Sequence, residues 1–132
     1  MYKILHTYFH EQGDALARHM ITYPLRQQLD KCWEVEGATP VIDVFANEDR
    51  SYCEVFWTWK SKEQYQIWID HTPDWDFLCE VGLDNCRKHG VHQEHVVPDQ
   101  EDVLTPREGL NHVTVQQLEL EYHLKYNAWV IK

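Results

Sequence analysis

The chain is short of positive charge: 12 Lys and Arg stand against 22 Asp and Glu, for a formal net charge of -10 at pH 7. Proteins that bind nucleic acid rely on Lys and Arg to displace counterions from phosphates. Here no basic cluster exceeds Arg87-Lys88, so neither a nucleic acid nor an acidic membrane is an expected partner. Nine histidines, with a reference pKa of about 6.5, would cancel much of that charge only in mildly acidic conditions. Cys32, Cys53, Cys79 and Cys86 show no CxxC spacing. The N-terminus, MYKILHTYFH, has no apolar run of signal-peptide length. Nor is there an apolar stretch of the roughly 20 residues needed to span a membrane. A reduced, cytoplasmic location is the expectation. No nucleophile elbow, glycine-rich phosphate loop or paired-carboxylate signature is present, and no internal repeat or low-complexity run.

Aromatic residues, by contrast, are plentiful: six Trp and seven Tyr in 132 residues exceed the needs of one small core. Such side chains concentrate in interfaces and ligand pockets, where they bury area and still offer a polar tip. The richest stretch is Val55 to Trp68, VFWTWKSKEQYQIW. Alternation places Val55, Trp57 and Trp59 on one side of a strand and Phe56 on the other, so both faces are meant to be covered. Ser61 followed by Gln64 is a capping box opening a helix, and Tyr65 and Trp68 then share one helical face.

One domain is expected over 1–132, with a core of about 1–97 and a C-terminal extension over 98–132. Tyr2 to Phe9 reads as a strand. A helix opens after Gly13-Asp14, is kinked or restarted at Pro24, and ends by Gly37 and Pro40. Val41 to Ala46 and Tyr52 to Trp59 form a hairpin across Asn47 to Arg50. The helix from Ser61 runs to about Asp70, and Thr72 with Pro73 starts a second piece that Gly90 terminates. Val91 to Val97 makes a fourth strand, Asp99 to Asn111 an acidic loop, and the alternation of Leu118, Leu120, Tyr122, Leu124 and Tyr126 predicts a terminal strand. The fold class is α+β. The order strand, helix, strand, strand, helix, strand is the ferredoxin-like βαββαβ arrangement of an antiparallel sheet with helices on one face. Its bare face, carrying aromatics, calls for the partner sheet of a second copy, which makes a homodimer.

Histidines supply the candidate proton-moving groups, since an imidazole titrates near neutrality. His6 lies on the same side of strand one as Tyr8, and His19 shares a helical face with Tyr23. The run CRKHGVHQEH, with Cys86, His89, His92 and His95, has ligand-type residues every third position. Gly90 should divide it, and His92 and His95 have opposite parity, so no metal site is expected.

The strand order and the segment Trp59-Lys60-Ser61-Lys62-Glu63-Gln64-Tyr65-Gln66-Ile67-Trp68 resemble the antibiotic biosynthesis monooxygenase group of the dimeric α/β barrel superfamily, especially its heme-degrading members. The resemblance implies a cofactor-independent monooxygenase-like protein acting on a small aromatic or polycyclic compound. His6 and His71 would be the catalytic candidates, with Tyr8, His19, Tyr23, Trp59, Tyr65 and Trp68 around the ligand. A histidine would deprotonate a phenolic or quinol-type substrate before it meets oxygen. The alternative is a non-catalytic dimeric module of the same fold that binds a hydrophobic ligand, heme among them. In the heme-degrading branch, the Trp matching Trp68 accompanies an Asn on the first strand and a heme-ligating His beyond. This chain has no Asn there and Leu78 at the later position, so no cofactor is the expectation.

Overall fold

The computed structural model describes residues 1–19, 35–96 and 104–126. Among the described residues, five strands and four helices run as β1 Tyr2–Phe9, α1 Ala15–His19, β2 Val41–Ala46, β3 Tyr52–Trp59, α2 Lys62–Asp70, α3 Trp75–Lys88, β4 His92–Val96, β5 Asn111–Val113 and α4 Val115–Tyr126. The strands form one antiparallel sheet in the order β4-β1-β3-β2-β5.

Strand parity sorts the side chains onto two faces. Tyr2, Tyr8, Val44, Ala46, Cys53, Val55, Trp57, Trp59 and Val113 pack with helix residues Ala15, Leu16, Trp68, Cys86 and Leu118 in a single core. Leu5 and Phe56, adjacent across β1 and β3, are buried on the opposite face. Strand β3 is buried on both sides: Cys53, Val55, Trp57 and Trp59 on the helix side, Glu54 and Phe56 on the other.

The hairpin β2–β3 occupies the expected residues, with Asn47 Oδ1 accepting from the Tyr52 N–H at 3.0 Å and Asn47 N–H donating to Tyr52 O. Ser61 caps α2 by accepting the Gln64 N–H at 3.2 Å. The start of α3 differs from expectation. Its N-cap is Asp74, whereas the Thr72 hydroxyl donates to Trp68 O at 2.8 Å and so closes the preceding helix. A hydroxyl one turn from free C-terminal carbonyls satisfies them before it can cap the next helix. At the other end of α3, Gly90 follows the C-cap with φ +69°, in the left-handed region where glycine is unpenalised. The long helix expected after Gly13 is described only over α1; Pro24 and its surroundings lie outside the described residues.

The terminal strand expected over Leu118–Tyr126 is a helix, α4, and the extra strand is instead Asn111–Val113, of which Asn111 was expected to end the acidic loop. Leu118 is the buried residue of α4, while Leu120 and Leu124 are exposed. With one anchor there is no helical apolar period to see, and Leu, Gln, Glu and Lys favour helix intrinsically. Thr114 opens it: its Oγ1 accepts from Gln117 N–H at 3.0 Å and its carbonyl from Leu118 N–H. Polar pairs then dock α4. Arg50 holds the Glu121 carboxylate with two bonds at 3.0 and 3.2 Å, and Lys125 Nζ lies 3.2 Å from Asp14 Oδ2.

Strands β4 and β5 are opposite edges of the sheet, and residues 104–110 of the chain between them are described. Residues of that connector lie on the face away from the helices. Lys3 Nζ donates to Leu104 O at 3.4 Å, Arg107 N–H donates to Glu54 Oε1 at 2.9 Å, and the Arg107 guanidinium sits 4.4 Å above the Tyr52 ring. Glu54, only 4% exposed, gives its other oxygen to the Tyr52 hydroxyl at 2.7 Å. A buried carboxylate is tolerated because both oxygens are hydrogen-bonded. The face expected to be bare is thus partly strapped by its own chain. Among the described residues, no helix is long and apolar enough to cross a membrane.

Candidate functional site

The helix-covered side of β1 and β4 carries a run of polar groups beside the aromatic core. Antiparallel pairing sets His6 opposite His95 and Tyr8 opposite Gln93. The two imidazoles stack at 3.9 Å with an interplanar angle of 9°. His6 is 7% exposed and lies 5.7 Å from the Trp57 ring; His95, on the edge strand, is exposed. Burial foremost, then the charges of His95 and His19, bring the His6 pKa down to about 3. The ring is therefore neutral at physiological pH.

A second group continues from Tyr8. Its ring packs 4.9 Å from His19 on α1, and its oxygen accepts from Gln93 Nε2 at 2.9 Å. Gln93 Oε1 accepts from the Cys86 thiol at 3.5 Å, and Cys86 Sγ lies 2.9 Å from His19 Nδ1. Asn85 Nδ2 donates to His19 O, tying α3 to α1. Burial, then His89 and His95, lower His19 to about 3, and burial pushes the Cys86 thiol up to about 12. A Cys–His pair at this distance is the geometry of an activated nucleophile. Shifts in these directions give the opposite result, a thiol beside a neutral imidazole, which is inert. Tyr8 is likewise raised by burial first and keeps its proton.

Trp57, Trp59, Trp68, Trp75, Tyr65 and Tyr2 form the aromatic cluster next to this network. Trp68 is fully buried, with ring centroids of Trp75, Trp59 and Trp57 at 4.8, 5.3 and 6.3 Å. Trp59 lies between Tyr65 at 4.8 Å and Tyr2 at 6.3 Å. Packed on every side, Trp68 and Trp59 hold α2 to the sheet. Trp57 differs in bordering both the cluster and His6. The indole N–H groups of Trp57 and Trp59 have no hydrogen-bond acceptor among the described residues.

Of the residues picked from sequence, the fold brings His6, Tyr8 and His19 together, and sets Trp59, Tyr65 and Trp68 in the adjoining cluster. His71 does not join them: it is exposed at the C-terminus of α2, its Nδ1 2.8 Å from Ile67 O. Tyr23 lies outside the described residues. His95, Gln93, Asn85 and Cys86 complete the network without having been assigned to it. Parity put Gln93 and His95 on one side of β4, but the register that sets them against Tyr8 and His6 joins segments 85 to 89 residues apart and leaves no local mark. The run Cys86–His95 is divided as its spacing required, with His95 on the helix side and His92 opposite Phe9. Among the described residues no three His, Cys, Asp or Glu side chains are grouped to hold a metal ion. Leu78 offers no heme ligand; His71, whose Nδ1 lies 2.8 Å from Ile67 O, keeps Nε2 open but stands exposed at the end of α2, apart from the His6 network. A separate shallow cleft of about 450 Å³ opens at the end of β1, lined by Phe9, His10, Glu11, Gln12, Gly90 and His92. No protein family, curated protein or solved structure matches the chain.

Proposed function

We propose that this is a ferredoxin-like protein, paired as a dimeric α/β barrel, that binds a small flat aromatic compound on the helix side of its sheet beside His6, His95 and Trp57. The ligand reading is carried by the contact of His6 with Trp57: a buried, neutral imidazole lies between that indole and the exposed imidazole of His95. Strongly shifted titratable groups cluster at functional sites. Support for the ferredoxin-like part is the neighbour order β4-β1-β3-β2 with α2 and α3 on one side. Support for a sheet-to-sheet dimer is the apolar surface the strap leaves open: Phe9, Val41 and Val96, all of open-face parity, are 42, 60 and 38% exposed. Sedimentation at micromolar concentration should give twice the mass of one chain; a monomer mass removes the dimer.

Energetics favour binding over oxygenase chemistry as the primary role. A phenol with a pKa of about 10 would have to give its proton to an imidazole brought down to about 3, which is steeply uphill. Oxygen insertion remains the second reading because His6 stacks on an exposed imidazole, which gives an abstracted proton a way out. The substrate must then be far more acidic than a simple phenol. Titration with fluorene, followed by tryptophan fluorescence, is expected to saturate at one ligand per protomer, with Trp57→Phe removing much of the quenching. Unsaturable quenching would end the binding reading, and substrate-dependent oxygen consumption lost in His6→Gln would promote the second.

A further inference from the structure

Helix α4 buries one residue, Leu118, with Val115 packed partly against the core, and its remaining grip is polar. Among the described residues, the non-glycine residues in the left-handed region are Asp14 at φ +57° and Arg50 at φ +62°. Glycine would take up either conformation without penalty, so a side chain kept there answers a need elsewhere. Both side chains reach α4: Arg50 grips the Glu121 carboxylate through Nε and an Nη, and Asp14 accepts from Lys125 Nζ. The two loops that carry them are themselves joined, since Ala15 N–H donates to Arg50 O and Gly13 lies against Asp49 O.

We infer that α4 is an ionically latched helix, a conformational device that opens locally while β1, β3 and β2 stay folded and that loosens as ionic strength rises. The Asp14 side chain is 6% exposed and that of Lys125 is 56% exposed; among the described residues, Lys125 Nζ is the hydrogen-bond partner of the Asp14 carboxylate. Without the lysine, a docked α4 would leave that carboxylate buried and unpaired, and opening would return it to water. Little apolar surface opposes release, because Leu120 and Leu124 are exposed even with the helix docked. Salt screens the solvent-facing partner of the buried acid, so the same opening follows from screening alone.

Hydrogen exchange of the whole chain, read by mass spectrometry, tests the latch. Lys125→Met should speed exchange of the α4 amides about tenfold and leave β1, β3 and β2 unchanged. Adding Asp14→Asn removes the stranded charge and keeps a residue that tolerates the left-handed backbone, so the double variant should recover most of that loss. In the wild type, moving from low salt to about 1 M NaCl should speed α4 exchange about fivefold. An equal rise in β1, β3 and β2, a Lys125→Met rate equal to wild type, a double variant as fast as Lys125→Met, or salt-independent α4 exchange would each overturn the inference.

Discussion

Lowering the pH from 7 to 4.5 is expected to remove up to about 5 kcal/mol of folding stability through His6 and His19 alone. Both are buried and neutral, with pKa values brought from an ordinary 6.5 to about 3. The unfolded chain takes up protons below 6.5 and the native state only near 3. Between those values the unfolded state binds more protons, so stability falls as pH falls; above 6.5 the two groups contribute no slope. Two units of difference at pH 4.5 amount to about 2 to 3 kcal/mol per group, against a typical total of roughly 5 to 15 kcal/mol. Neutralising carboxylates on a chain of net charge -10 relieves self-repulsion and acts in the opposite direction. Glu121 and Asp49, whose hydrogen bonds hold their carboxyls below the usual range, also lose stability on acidification, so the histidine variants carry the assignment. Urea midpoints at pH 7, 5.5 and 4.5 should fall steeply in the wild type and about half as steeply in His6→Gln or His19→Gln. A flat profile, or an unchanged slope in both variants, would show that these imidazoles are not desolvated as described.

Trp68→Ala should cost about 4 kcal/mol, from lost transfer energy and the cavity left between α2 and the sheet. It should lower Tm by roughly 15 °C. The side chain is 0% exposed and touches three other indoles, so no neighbour can close the gap without leaving its own contacts. Trp68→Phe, which keeps a ring, should lose clearly less. The result separates two roles that sequence leaves open, since a residue lining an empty pocket would lose ligand affinity on truncation with little change in Tm. A Tm within a few degrees of wild type for Trp68→Ala would return this residue to the pocket wall.

These two positions illustrate what was readable in the chain and what was not. Strands β1 to β3, the capping box at Ser61 and the break near Pro73 are local signals, and the structure places those elements within a residue or two of their sequence bounds. Helix α4 went unread because alternating Leu and Glu outweighed Thr114 and Gln117, a cap whose pattern was present. The connection of His6 to Tyr8 follows from parity. Its extension to His95, Gln93 and Cys86 depends on how β4 aligns with β1 and on where α3 docks, which no stretch of sequence encodes by itself. Trp57, Trp59 and Trp68 are equivalent as letters; only packing shows that Trp57 borders imidazole while Trp68 sits among rings.

The edge position of β5 sets an order of assembly. Strand β5 holds to β2 through three residue pairs, Val44–Val113, Phe45–His112 and Ala46–Asn111, and it can dock only once β2 is in place. Closing so long a loop is late and reversible compared with forming the β2–β3 hairpin. The described part of the connector matters most to one group: without the Arg107 N–H, the Glu54 carboxylate, 4% exposed, would keep the Tyr52 hydroxyl alone as its donor, and an under-bonded charge would sit on the open face of the sheet.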